Sequence, residues 1–305
     1  MKKVLIYLFM ILSIILLLLY TKEIKEFSDN LVHDVLPVSI PGENEYTRKD
    51  NFHFVKITDD FAVKNKEHLY DIIYTYLDSG ADSFHFKCDK SFKECHDTVE
   101  KLTKDQNTLT VINYFVHPFN SFEKINIKYN SIGAIEIKVK HNYSKEEIKE
   151  INKKVDEVIK THNLDQKFKM SKESFMREVH DYIINNASYD KENLSGKNNG
   201  RFKSASAYGP LIQNKAICSG YSDAFSIFMH RYKIKNYKVV SDKHTWNAVN
   251  LDNKYLHVDL TWDDPVTKDN KDVLSHQYFL IDTKILLLQD KTEHAFDLNI
   301  YQELK

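Results

Sequence analysis

The sequence predicts an α+β protein in two folded parts behind an N-terminal membrane anchor, and three observations predict it. An unbroken apolar run extends from Val4 to Tyr20; short strand-like and helix-like segments alternate from about Phe52 to His162; and beyond Asp165 two helical patterns lead into a strand pair around Asp252-Asn253. The divisions that follow are an anchor over 1–21, a stalk over 22–50, an α+β accessory domain over 51–164 and a second domain over 165–305.

Lys2 and Lys3 precede the apolar run, which carries no charge and is at the lower edge of what spans a bilayer as a helix. A cleaved signal peptide is the competing reading, but its apolar region is shorter and ends in small residues, whereas this run ends Leu17-Leu18-Leu19-Tyr20. The positive pair favours a cytoplasmic N-terminus, with the body of a single-pass protein outside the membrane, although Lys22 and Lys25 weaken the asymmetry. Pro37 and Pro41-Gly42 break the polar segment that follows, which reads as a stalk.

With 305 residues, 42% of them hydrophobic, there is apolar material for two cores, and disorder is not the default. A formal net charge of −1 provides no field to attract nucleic acid. Seven Gly and five Pro argue against low-complexity linkers. Of three cysteines, Cys88 and Cys95 could close a small loop in an oxidising compartment, which leaves Cys218 free. If one continuous helix joined Cys88 to Cys95, their Cα atoms would be about 10 Å apart, too far for a bridge. Both readings stay open.

In the accessory domain, Phe52 to Ile57, Ser83 to Phe86, Thr108 to Val116, Ile125 to Tyr129 and Ile135 to Val139 read as strands, and Leu69 to Leu77 as a helix. Ser144 with Glu147 forms a capping box for a helix whose stripe is Ile148, Ile151, Val155, Val158 and Ile159. Nothing there has a catalytic pattern; spacing, partner binding or packing is the expected role.

The second domain opens with a helix capped by Ser171, with Phe175, Val179, Tyr182 and Ile183 on its core stripe. Cys218 stands where another helical period begins, at Tyr221, Ala224/Phe225 and Phe228/Met229. The free N–H groups and positive dipole end of a helix start favour thiolate, the form a sulfur nucleophile needs. Gly220 is expected to leave room for substrate. A lone cysteine is more often a buried structural residue than a nucleophile, so the downstream pattern decides.

His244 to Leu251 and Lys254 to Leu260 are strand-like runs separated by two residues, the signature of a hairpin. Pairing outward from that turn sets Trp246 opposite Asp259 and His244 one diagonal step away. Alternation places His244, Trp246, His257 and Asp259 on one surface and Val249, Leu251, Leu256, Val258 and Leu260 on the other, which the core takes. A carboxylate on one ring nitrogen leaves the other to take a thiol proton, the logic of a Cys-His-Asp triad of Cys218, His244 and Asp259. His257 reads as a strand neighbour and His230 as the exposed end of the cysteine helix.

Lys215-Ala216-Ile217-Cys218-Ser219-Gly220-Tyr221, His244-Thr245-Trp246-Asn247 and His257-Val258-Asp259-Leu260-Thr261-Trp262-Asp263-Asp264-Pro265 resemble the three blocks of the transglutaminase-like superfamily, closest to its bacterial, kyphoscoliosis-peptidase-like branch, over about residues 170–266. The resemblance implies a papain-like core, a Cys helix packed on an antiparallel sheet carrying His and Asp, with no metal or organic cofactor. It also implies an upstream oxyanion donor, with Tyr208 and Gln213 as candidates and Tyr208 favoured, and Trp246 beside the substrate. Asp263-Asp264-Pro265 is expected to shape a turn. The implied activity is acyl transfer on protein or peptide amides at the cell surface, ending in crosslinking or hydrolysis. The competing class is a non-catalytic surface module that binds cell-wall components or partner proteins. A metal site of Cys218, His244 and His257 is remote, since no pair has a recognised ligand spacing.

Overall fold

The computed structural model describes residues 10–24, 38–39, 41–129, 134–194, 200–265 and 273–305. The expected anchor falls partly outside them, at residues 1–9. Its described part is an exposed apolar helix, α1, over residues 10–24. Among the described residues no helix is long and apolar enough to cross a membrane.

The chain is α+β. Its first half contains β1 (Ala62–Val63), α2 (Lys66–Ser79), β2 (Ser83–Cys88), α3 (Cys95–Lys104), α4 (Gln106–Tyr114), β3 (Phe122–Tyr129), β4 (Ile135–His141) and α5 (Lys145–Thr161). Its second half contains α6 (Leu164–Met170), α7 (Lys172–Asn186), β5 (Ser188–Tyr189), α8 (Lys191–Leu194), β6 (Lys215–Ala216), α9 (Cys218–Arg231), β7 (Asn236–Val240), β8 (Thr245–Leu251), β9 (Lys254–Val258), α10 (Leu260–Asp263), β10 (Phe279–Ile281) and α11 (Thr283–Gln289). The sheets run in the orders β1-β2-β4-β3, β10-β9-β8-β7 and β5-β6.

Local signals account for many of these elements. Both halves of the Ser144–Glu147 capping box form at the start of α5, and Ser171 caps α7 through the Ser174 N–H. Asp252 and Asn253 both take positive φ, 51° and 69°, the backbone that a two-residue turn requires. The resulting register pairs Leu251 with Lys254, Val249 with Leu256 and Asn247 with Val258.

Several expectations need correction. Thr108 to Val116 is not a strand: α4 covers most of it, started by the Asp105 side chain on Thr108 N–H, and it buries Leu109, Ile112 and Phe115 at helical spacing despite the β-branched residues between them. Phe52 to Ile57 is not a strand either. The Lys56 and Ile57 N–H groups bond Asp71 Oδ1 and Asn51 Oδ1, at 2.7 and 2.8 Å, rather than a ladder. Residues 41–50, assigned to the stalk, are packed: Asp78 receives the Arg48 and Lys49 N–H groups, and the Arg48 guanidinium reaches Asn236 O at 2.5 Å. Cys88 and Cys95 form a disulfide with Cα atoms 5.8 Å apart; α3 starts at Cys95, so no helix spans the pair.

The hairpin sheet is covered on both faces. Tyr237, Val239, Trp246 and Ala248 join a buried cluster with Phe52, Tyr74, Ile112 and Phe115, whereas Val249 and Val258 join another with Val155, Phe175, Phe225 and Phe228. The surface expected to stay polar is thus the second core face, and Trp246, His257 and Asp259 are buried. Each cluster draws on both sides of residue 164. The β10-β9-β8-β7 sheet is the wall between them, with α9 on the Val249 face.

Candidate active site

The start of α9 is positioned by backbone pairing. β6 bonds β5 in parallel, Tyr189 opposite Ala216, and Ile217 N–H bonds Ser204 O at 2.9 Å before the chain turns into the helix at Cys218. Gly220 is a packing requirement rather than room for substrate, because a Cβ there would lie 2.1 Å from Ser204 O. In the first turn the Ser222 hydroxyl donates to Cys218 O at 2.9 Å and lies 3.2 Å from Thr245 O, which docks the helix start against the end of β8.

His244 directly precedes β8 and Asp259 directly follows β9. Their diagonal relation closes into a contact of 2.5 Å between His244 Nε2 and Asp259 Oδ2. Cys218 lies close enough to raise the same imidazole, and Nδ1 is the ring nitrogen that Asp259 leaves free. Cys218 is partly exposed while His244 and Asp259 are buried. Burial would lower the basicity of His244, but Asp259 and Cys218 outweigh it and push the imidazole up to about 10. For Asp259, burial raises the carboxyl, and His244 with His294 outweighs that and holds it well below the usual carboxylate range. Trp246 stacks on His244, ring centroids 5.7 Å apart, and its Nε1–H donates to His257 Nδ1 at 2.9 Å. Trp246 is itself buried and therefore fixes the imidazole plane from the core side.

Three further side chains belong to this constellation and escaped the sequence reading. His294 Nε2 lies 2.9 Å from the same Asp259 Oδ2, and its Nδ1 lies 2.9 Å from Asp290 Oδ2. The other carboxylate oxygen, Asp259 Oδ1, caps α10 by accepting the Thr261 and Trp262 N–H groups at 2.9 and 3.2 Å. Every lone-pair direction of this buried acid is thereby assigned to a donor. Tyr189 is within electrostatic range of Cys218 and Asp259; burial first, then these acidic groups, pushes its hydroxyl up to about 12, so it stays an O–H donor. Neither His294 nor Tyr189 has a sequence signal beyond residue type: one follows α11 with no register to count from, and the other is placed by a two-residue parallel pairing.

The expected oxyanion donors are engaged with other partners. The Tyr208 hydroxyl donates to Glu150 Oε2 at 2.6 Å on α5, and Gln213 Oε1 accepts the Lys203 N–H at 2.7 Å. His230 is not an exposed helix end; it packs on His117 with centroids 4.2 Å apart, and burial lowers it to about 4. Asp263 and Asp264 do more than shape a turn, since Asp263 binds His180 and Asp264 Oδ2 accepts the Tyr221 hydroxyl at 2.5 Å. A buried cation lies behind the cysteine helix: Lys238 pairs with Asp223, which also accepts the Tyr143 hydroxyl at 2.5 Å; burial lowers Lys238, and Asp223, Tyr114 and Cys218 outweigh it and raise the amine.

Among the described residues two groups converge closely enough to hold a metal ion, His244-Asp259-His294 and His180-Asp181-His276, each with ligand atoms within 4.8 Å of one another. In the first, all three residues are buried, and His244 Nε2 is taken by Asp259. His257, placed in a metal reading with Cys218 and His244, instead accepts from Trp246 and meets Thr283 Oγ1 at 2.9 Å.

No family model matches the chain, and no curated protein matches it. A solved structure described as "Crystal structure of a TGase" is similar to it with a TM-score of 0.36 and 16% sequence identity, over 52% of this chain and 48% of its own. The chain thus spans about half the length of that structure, a likeness too low to carry an argument about function.

Proposed function

We propose that this chain is a transglutaminase-like cysteine enzyme that acts on protein or peptide amides, with Cys218 as nucleophile, His244 as base and Asp259 as the orienting carboxylate. The observation that carries the reading is a partly exposed Cys218 close enough to act on His244, whose imidazole in turn contacts a buried carboxylate shared with His294. The His244 proton balance suits the task. With the imidazole raised to about 10, the proton already sits on His244 at neutral pH, so the sulfur attacks the amide carbonyl as the thiolate of an ion pair whose imidazolium Asp259 stabilises. When the tetrahedral adduct collapses, the imidazolium gives that proton to the leaving nitrogen and a thioester remains on Cys218. Water or an amine then attacks the thioester, the now neutral His244 accepts its proton, and sulfur leaves as the thiolate, which restores the ion pair. The Tyr189 hydroxyl is the oxyanion donor in this scheme, in place of Tyr208. The disulfide and the N-terminal apolar run suit work outside the cytoplasm, with the chain held at a membrane.

Substrate profiling of wild type beside Cys218→Ala tests the reading, by incorporation of a labelled primary amine and by release of ammonia or peptide fragments. Loss of one of these activities in the variant is the expected result. An activity that survives Cys218→Ala unchanged, or a Cys218 that an alkylating probe labels no faster at neutral pH than a model thiol, would overturn it.

A further inference from the structure

We propose that His180, Asp181 and His276 form a site for one divalent transition-metal ion of the zinc class, separate from the Cys218 site. Two neighbours on α7 and a residue just before β10 meet at one point. Asp181 Oδ1 lies 2.8 Å from His180 Nδ1 and 2.7 Å from His276 Nε2, and the two rings have centroids 5.3 Å apart. Two imidazole nitrogens and one carboxylate oxygen are the donor set that suits zinc and its neighbours rather than calcium or magnesium.

The far side of His180 strengthens the assignment. Its Nε2 meets Asp263 Oδ2 at 3.2 Å, and His180 and Asp263 are both buried. A carboxylate behind the non-ligating nitrogen orients a metal-binding histidine and selects the tautomer that presents a lone pair to the ion. Asp263 is itself anchored, with the Tyr278 N–H 3.1 and 3.3 Å from its two oxygens. Charge points the same way. With both imidazoles neutral, Asp181 and Asp263 carry two negative charges that one divalent cation cancels, whereas a hydrogen-bonded cluster with a single imidazolium keeps one in excess.

Access separates this cluster from His244-Asp259-His294. The Asp181 and His276 side chains are 27% and 33% exposed, so an ion has an entry path and space for a water as fourth ligand. Tetrahedral coordination places ligand atoms about 3.3 Å apart, so these contacts must open by about half an ångström. The two partly exposed side chains can make that movement while His180 stays fixed. The bound ion would tie α7 to the segment entering β10 and, through Asp263, to α10.

The test uses the full-length chain freed of metal by chelator and titrated with Co²⁺ as a spectroscopic probe, then Zn²⁺. The expected result is one equivalent per chain, visible d–d bands of a nitrogen and oxygen site without thiolate-to-cobalt charge transfer, and unchanged binding in Cys218→Ala. His276→Gln and Asp181→Asn should each weaken binding by about 100-fold or more. Zn²⁺ should raise the Tm of wild type but not of His276→Gln, whose metal-free Tm, equal to that of wild type, shows that it folds. Absence of binding, binding that both variants retain, or binding lost with Cys218 would overturn the proposal. None of these readouts depends on the acyl-transfer reading.

Discussion

Two histidine–carboxylate clusters sit at opposite ends of α10, built from the same side chains and differing in what covers them. At the N-terminal end Asp259 faces His244 and His294, and all three are buried. At the other end Asp263 backs His180, whose partners Asp181 and His276 reach solvent. In the sealed cluster no water competes for the carboxylate, so its charge acts on the adjacent ring and supports the basicity of His244. In the open cluster the carboxylate shared by the histidines is reachable from solvent, the condition for exchanging protons with an ion. The same residue types thus make a proton-holding site or a cation site according to cover.

Substitutions can break this contrast. Asp259→Asn should have the largest effect: turnover of the substrate found by profiling should fall by about 10³- to 10⁴-fold through loss of the oriented tautomer. Breaking a buried pair should also cost about 3–5 kcal/mol in denaturant unfolding. Full turnover in this variant would remove Asp259 from the proposed chemistry. Tyr189→Phe should lower kcat by about 10²-fold as an oxyanion donor, whereas Tyr208→Phe, which loses only its contact with Glu150, should leave kcat within about twofold. The reverse order would restore Tyr208 to the role the sequence suggested. His294→Ala should slow turnover by about tenfold and shift its pH profile, while His294→Gln, which keeps an N–H for Asp259, should recover most of the rate. Recovery of stability without recovery of the pH profile would make His294 structural only.

The smallest effect is in pH-dependent stability, and its sign is set by His244. The folded-state value, about 10, lies above the unfolded value of about 6.5, so its stabilisation is full below about 6.5 and lost as pH rises through about 10. Asp259 works in the opposite sense: its contribution is present above about 4 and lost as pH falls through its lowered folded value. The Tm of wild type should therefore decline between pH 6.5 and 10 more steeply than that of Asp259→Asn. Parallel profiles would show that the pair does not govern His244.

What the sequence determined by itself was local in origin. A two-residue turn sets the register of β8 and β9, and strand alternation then places His244 diagonal to Asp259 without reference to the rest of the chain. The same holds for the caps at Ser144 and Ser171 and for a helix beginning at Cys218. Tertiary structure decided the remainder. Packing made a helix of Thr108 to Val116 and covered both faces of the hairpin sheet, because burial of Leu109 and Ile112 outweighs the strand preference of the β-branched residues around them. Tyr189 comes beside Cys218 through a two-residue pairing, and His294 meets Asp259 across 35 positions of sequence. Such meetings depend on how separated segments share a core, and no periodicity within a segment encodes them.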